Sequence, residues 1–124
     1  MIRGVRGAIT VKEDNEAELV SATEKLIRQM IEENQITADQ VASILFTVTN
    51  DLKAAFPAKA VRLIEGWRYV PVMCMQEIPV PDSLKKCIRV MMHVNTNTAQ
   101  EDIMHVYLEG AEVLRPDLST SNQA

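Results

Sequence analysis

Cys87-Ile88-Arg89-Val90-Met91-Met92-His93-Val94 is the stretch on which the fold turns. It is a run of strand-forming, core-type residues with one guanidinium in its middle. An unpaired buried charge is costly, so a chain keeps an arginine there only when something pairs it. Arg6 repeats the pattern in the first strand, amid Gly4, Val5, Gly7, Ala8 and Ile9. Two arginines inside two apolar strands, with Glu77 and Tyr107 elsewhere, suggest a pocket for an anionic ligand, because a dicarboxylate needs more than one fork-shaped donor.

The flanking sequence supplies the rest of a sheet and its cover. Residues 2–11 read as a strand in which small residues flank Arg6 on its own face, leaving room for a ligand or another chain. Asn15 with Glu18 resembles a capping box, and Leu19, Val20, Thr23, Leu26, Ile27, Met30 and Ile31 recur at helical spacing. This predicts a helix over 15–33, ending near Asn34. Thr37 with Gln40 marks a short helical turn, and residues 43–49 form a β-branched strand broken at Asn50-Asp51. Pro57 and Gly66 bound a helix over 57–65, on which Lys59 and Arg62 share a face. Residues 68–74 read as a strand with Pro71 at an edge or bulge, and 76–84 as a loop. Thr98 with Glu101 predicts a helix over 99–107, and residues 111–114 a short last strand. The order β-α-β-α-β-β-α-β gives an α/β or α+β fold, a mixed sheet with helices mainly on one face. The other face of so small a sheet invites cover by another copy of the chain.

Composition narrows the function. A chain of 124 residues, 47% hydrophobic, makes one domain with a proper core. No apolar run approaches the roughly 20 residues of a membrane span. The opening MIRGVRGAITV lacks the order of a signal peptide. Cys74 and Cys87 read as free thiols in a reducing cytoplasm. With His93 and His105 they show no metal-ligand spacing. The net charge of −4 is uneven: −3 over residues 1–50, +3 over 51–95 and −4 over 96–124. A basic middle in an acidic chain suits a small anion better than nucleic acid, and aromatics are only 4%. There is no Gly-rich phosphate loop, Ser-His-Asp arrangement or paired metal carboxylate set. An enzyme built this way works without a cofactor, by positioning and electrostatics.

Each candidate also has a plain structural reading. Arg89 could pair locally with Glu77, or snorkel at a sheet edge. Cys74 could be a small buried hydrophobe, and no His is placed to activate it. Lys59 and Arg62 could be a solvated helix face, Tyr107 a core residue, and Met73, Met75, Met91 and Met92 core filling.

Several blocks resemble a known family. They are Arg3-Gly4-Val5-Arg6-Gly7-Ala8 with Thr10-Val11, and Asp51-Leu52 with Ala55-Phe56-Pro57-Ala58-Lys59-Ala60-Val61-Arg62. Further blocks are Val70-Pro71-Val72, Cys74-Met75-Gln76-Glu77, Leu84-Lys85-Lys86-Cys87-Ile88-Arg89-Val90, His105-Val106-Tyr107-Leu108 and Leu114-Arg115-Pro116-Asp117-Leu118. In order and in register, they resemble the trimeric AroH-type chorismate mutases typified by the bacillus enzyme. The resemblance implies a single domain over 1–118, with 119–124 as a flexible tail. It implies a homotrimeric pseudo-α/β-barrel with active sites between subunits. The implied reaction is the cofactor-free rearrangement of chorismate to prephenate, in phenylalanine and tyrosine biosynthesis. Carried over residue by residue, Arg89 would donate to the ether oxygen. Arg6 with Tyr107 would hold the enolpyruvyl carboxylate, and Glu77 with Cys74 would fix the ring. Phe56, Val72, Met73 and Leu114 would form walls, Lys59 and Arg62 the mouth, and Arg115 would help close it. Two departures stand out: Met73 replaces a smaller polar residue, and Met104 a basic one. Two other classes compete: a trimeric imine or enamine deaminase, and a non-catalytic metabolite-binding trimer.

Overall fold

The computed structural model describes residues 1–114. Five strands form one sheet: β1 (Ile2–Thr10), β2 (Val41–Val48), β3 (Val72–Gln76), β4 (Cys87–Asn95) and β5 (Val106–Leu108). The helices are α1 (Glu16–Asn34) and the short α2 (Ala58–Arg62), with 3₁₀ turns at Ala38–Gln40, Gln100–Asp102 and Glu109–Leu114. The strand order is β3-β2-β4-β1-β5. The Arg89 strand β4 lies at the centre, antiparallel to both β1 and β2, while β2–β3 and β1–β5 are parallel. This is the expected mixed sheet with helices.

Alternation along the strands makes two unlike faces. Val5 and Ile9 of β1, Ile44 and Phe46 of β2, and Ile88, Val90, Met92 and Val94 of β4 are all buried. They join Leu19, Leu26, Ile27 and Met30 of α1 in one core. The opposite face carries Arg6 and Ala8, Thr47, and Arg89, Met91 and His93. Among the described residues it has only a small cluster at one end, built on Ala8, Cys87 and Ala111. The helix α1 starts as its sequence demands, with the Asn15 side chain accepting from the Glu18 amide at 2.8 Å. The capping box is only half formed, because the Glu18 carboxylate takes the Lys12 amide at 2.6 Å instead. Gln35, with a left-handed φ of 52°, ends the helix.

Gly7 sets how closely α1 approaches. A Cβ there would sit 2.5 Å from Met30 Sδ, 3.0 Å from Val90 Cγ1 and 3.2 Å from Leu26 Cδ1. Gly7→Ala should therefore destabilise by about 1–3 kcal/mol. A thermal midpoint equal to wild type would show that Met30 yields without strain.

Four local expectations need correction. Residues 99–107 are not a helix but a 3₁₀ turn followed by β5. The Thr98 hydroxyl bonds Thr96 Oγ1 at 3.0 Å rather than capping a helix, and Val106–Leu108 pairs with Gly7–Ile9. A sheet partner for those amides outweighs a local cap signal. Residues 111–114 are 3₁₀ rather than strand: Glu109 has φ 54° and the Gly110 amide turns back to Thr10 Oγ1 at 2.9 Å. The strand expected over 68–74 begins only at Val72. Buried Trp67 anchors a turn closed by Val70 N–H to its carbonyl at 3.2 Å, and Pro71 has no amide to give. The helix expected over 57–65 is only α2, with turns continuing to Gly66 at φ 87°.

Candidate active site

The centre of the open face is a cation–carboxylate pair. Arg89 lies across from Thr47 on β2 and Ala8 on β1. Its Nε is 3.3 Å from Glu77 Oε2, with 44% of the arginine side chain and 23% of the glutamate side chain exposed. The same Glu77 oxygen accepts from Thr47 Oγ1 at 2.9 Å. Arg89 thus escapes burial because strand alternation turns it to the open face. It is held by Glu77 while its head stays accessible to a ligand.

The backbone around this pair is firmly tied. Lys86, just before β4, has φ 50°, a conformation that is strained for a residue with a Cβ. Its amide donates to both oxygens of Asp51, at 3.1 and 3.0 Å. Thr49 Oγ1 donates to Asp51 at 2.6 Å and accepts from the Cys87 amide at 3.0 Å. These bonds fix the entry to the Arg89 strand.

Arg6 and Tyr107 share the open face. Half-buried Arg6 has its backbone amide on His105 Nδ1 at 2.9 Å, which sets its register against β5. Tyr107 pairs with Ala8 and packs beside the Ala8–Cys87–Ala111 cluster together with Leu114. Its hydroxyl is buried and makes no hydrogen bond among the described residues. An orphan buried hydroxyl costs free energy unless a ligand or partner supplies the bond.

The remaining candidates lie elsewhere. Cys74 pairs with buried Phe46 and so points to the helical side of the sheet, beneath α2. It lines a cleft of about 730 Å³ together with Glu16, Leu52, Phe56, Lys59 and Gln76. Phe56 is 69% exposed there, and the Lys59 ammonium pairs with the Glu16 carboxylate. Val72 is half-buried against the main core, Met73 is 61% exposed, and Arg62 is exposed on α2. Arg115 and the 119–124 tail lie outside the described residues. Within one chain, Arg6, Glu77, Arg89, Tyr107 and Leu114 occupy one face, while Phe56, Lys59 and Cys74 occupy the other. Strand alternation, not distance along the chain, parts Cys74 from Glu77.

Thr47, Thr49 and Asp51 were not among the sequence candidates. Thr47 reads as one more β-branched strand residue, and the Asn50-Asp51 turn signal conceals what the carboxylate does.

Burial raises the Cys74 thiol above its ordinary value, an effect only partly offset by the Ala58 amide it accepts from. Burial likewise raises Cys87, with Arg89 opposing. Both stay protonated at neutral pH, which argues against a thiolate nucleophile. For stability the sign is fixed: the folded chain holds these protons more tightly than the unfolded one. Their contribution is full below the ordinary thiol value and is lost as pH rises through the raised folded values. Urea midpoints should fall through that alkaline window, and the fall should shrink in Cys74→Ala. An unchanged fall in that variant would assign it to other groups.

Among the described residues, no helix is long and apolar enough to cross a membrane. The chain is similar to known proteins over nearly its whole length. It is 56% identical to chorismate mutase AroH of Bacillus subtilis (strain 168), over 96% of this chain and 94% of that one. It is 48% identical to chorismate mutase AroH of Thermus thermophilus, over 98% of this chain and 99% of that one. A solved chorismate mutase from Clostridium thermocellum superposes with a TM-score of 0.86 at 55% identity, covering 89% of this chain and 97% of that one. The family model for chorismate mutase type I matches residues 2–118. Sequence, fold and the face that carries Arg89 therefore converge: the chain belongs to the chorismate mutase type I family.

Proposed function

We propose that the chain converts chorismate to prephenate by a cofactor-free Claisen rearrangement, in the cytoplasm, as a homotrimer. The observation that carries this reading is the Arg89–Glu77 pair on the open sheet face of a chain of this family. In the reaction the ether C–O bond breaks as a C–C bond forms. Electrons move in a ring within the substrate, and the protein exchanges no proton or electron with it.

The chain's task is to hold a compact conformer and to meet developing charge. The ether oxygen gains negative charge as its bond lengthens. A guanidinium already fixed by Glu77 needs no reorientation at that moment, unlike water. Arg6 holds the side-chain carboxylate, and the orphan Tyr107 hydroxyl supplies a second donor to it. Glu77 accepts from the ring hydroxyl, and Cys74 of the neighbouring copy meets the ring as a neutral thiol. Leu114, Phe56, Val72 and Met73 wall the ring, Lys59 and Arg62 draw the dianion to the mouth, and Arg115 helps close over it. Pinning the flexible ether near its reactive geometry supplies the second large term.

The two-faced distribution of these residues supports a site shared between copies. One chain gives the face with Arg6, Glu77, Arg89, Tyr107 and Leu114, and its neighbour gives the cleft with Phe56, Lys59 and Cys74. Three such contacts close a ring, a pseudo-α/β-barrel whose interior covers the open sheet faces.

The direct test follows the ultraviolet absorbance of chorismate with purified protein and identifies prephenate as product. Metal-independent decay supports the reading. A folded protein that leaves chorismate untouched but consumes imino acids, or binds without product, would replace it with a deaminase or a binding protein.

A further inference from the structure

We propose that Asp14 is a positioning residue for the substrate cleft, acting through the loop that carries Phe56 and leads into the helix of Lys59. The inference rests on the proposed function, since it concerns one half of that site.

Asp14 lies between β1 and α1, 39 residues before the Lys53 amide that it binds. Its Oδ1 accepts from the Lys53 amide at 3.0 Å and from the Ala54 amide at 3.0 Å, and its Oδ2 is 3.1 Å from the Lys53 amide. One carboxylate thus takes two consecutive backbone donors of the 50–56 loop. Lys53, Ala54, Ala55 and Phe56 together form one wall of the cleft. The same short segment acts twice more. Asn15 caps α1, and Glu16 pairs with Lys59 from the first turn of that helix. At its other end the loop is tied to β4 through Asp51 and the Lys86 amide. The wall therefore has two anchors, and Asp51 already serves the Arg89 strand. Asp14 is the anchor that serves the cleft.

The chemistry suits a pin. A loop amide in water has no preferred direction, whereas a carboxylate held by a capped helix start fixes two of them. Charge-assisted bonds of this kind are stronger than neutral ones. With the pin lost, Phe56 and Lys59 still exist but sample several positions, so binding weakens before the chemistry at Arg89 does.

The test uses the full chain with Asp14→Asn and Asp14→Ala. Asn keeps one acceptor oxygen of nearly the same shape, and Ala keeps none. KM for chorismate is expected to rise about tenfold in Asp14→Ala, with kcat nearly unchanged and Asp14→Asn between it and wild type. Amide exchange at Lys53 and Ala54 should quicken in the same order. The idea fails if KM stays at the wild-type value in both variants. It also fails if kcat falls in step with the thermal midpoint, which is what a merely structural role predicts. Should Asp14→Ala not fold, Asp14→Asn alone decides by the same two readouts. A wild-type chain inert toward chorismate would overturn the function itself, whereas an active wild type with indifferent variants would overturn only this role.

Discussion

Arg89→Ala is expected to lower kcat for chorismate by about 10²–10³-fold while the chain stays folded. Arg89 is outside the main core, its side chain is 44% exposed, and its loss leaves Glu77 still bonded to Thr47. The buried Cys87 thiol beside Arg89 keeps its contact with the Ile88 carbonyl, so circular dichroism and oligomer size should match wild type. The loss falls on kcat because the donor matters most when the ether oxygen is most negative. Arg89→Lys should stay severely impaired. An ammonium carries the charge, but it cannot face Glu77 and the oxygen with one planar fork. A near-wild-type kcat in Arg89→Ala would remove Arg89 from the reaction. Full rate in Arg89→Lys would mean that charge alone suffices and geometry does not.

The second large effect is a gain. Arg89→Ala disables the open-face half of each site. The double variant Phe56→Ala, Lys59→Glu disables the cleft half, at positions exposed enough to spare the fold. Each preparation alone should be nearly inactive. Unfolded together in equal amounts and refolded, they should form mixed trimers if the proposed homotrimer is the working assembly. If each site takes one half from each of two chains, about one site in four pairs two intact halves, so activity should return to about a quarter of wild type. A mixture no more active than its parts would place both halves of the site within one chain. The same result would make the separation of Cys74 from Glu77 by strand alternation irrelevant to catalysis.

The centre of the sheet was legible in the chain because its signals are local. Period-two burial through Cys87–Val94, the helical spacing from Leu19 to Ile31 and the cap at Asn15 all act within a few residues. The family blocks made Arg6, Glu77, Arg89 and Tyr107 stand out as candidates. Beyond residue 95 local signals misled. Thr98 and Glu101 resemble a cap, yet Val106–Leu108 gains a ladder on β1 from a partner about a hundred residues away. Asp14 and Asp51 were equally hidden, since an acid in a turn looks solvated until the amides it binds are known.

The sequence by itself determined which residues could meet an anion, that the sheet would bury one face under α1, and which family the chain resembles. Only the tertiary structure decided which of those residues share a face. Arg89 and Glu77 meet because β4 and the end of β3 flank β2, an adjacency set by strand order. Cys74 turns away from them because each step along a strand reverses the side chain, and the register that selects its side is fixed by pairing with Phe46. Side-chain chemistry is written residue by residue, whereas register and strand order are set by long-range pairing and by burial of one face.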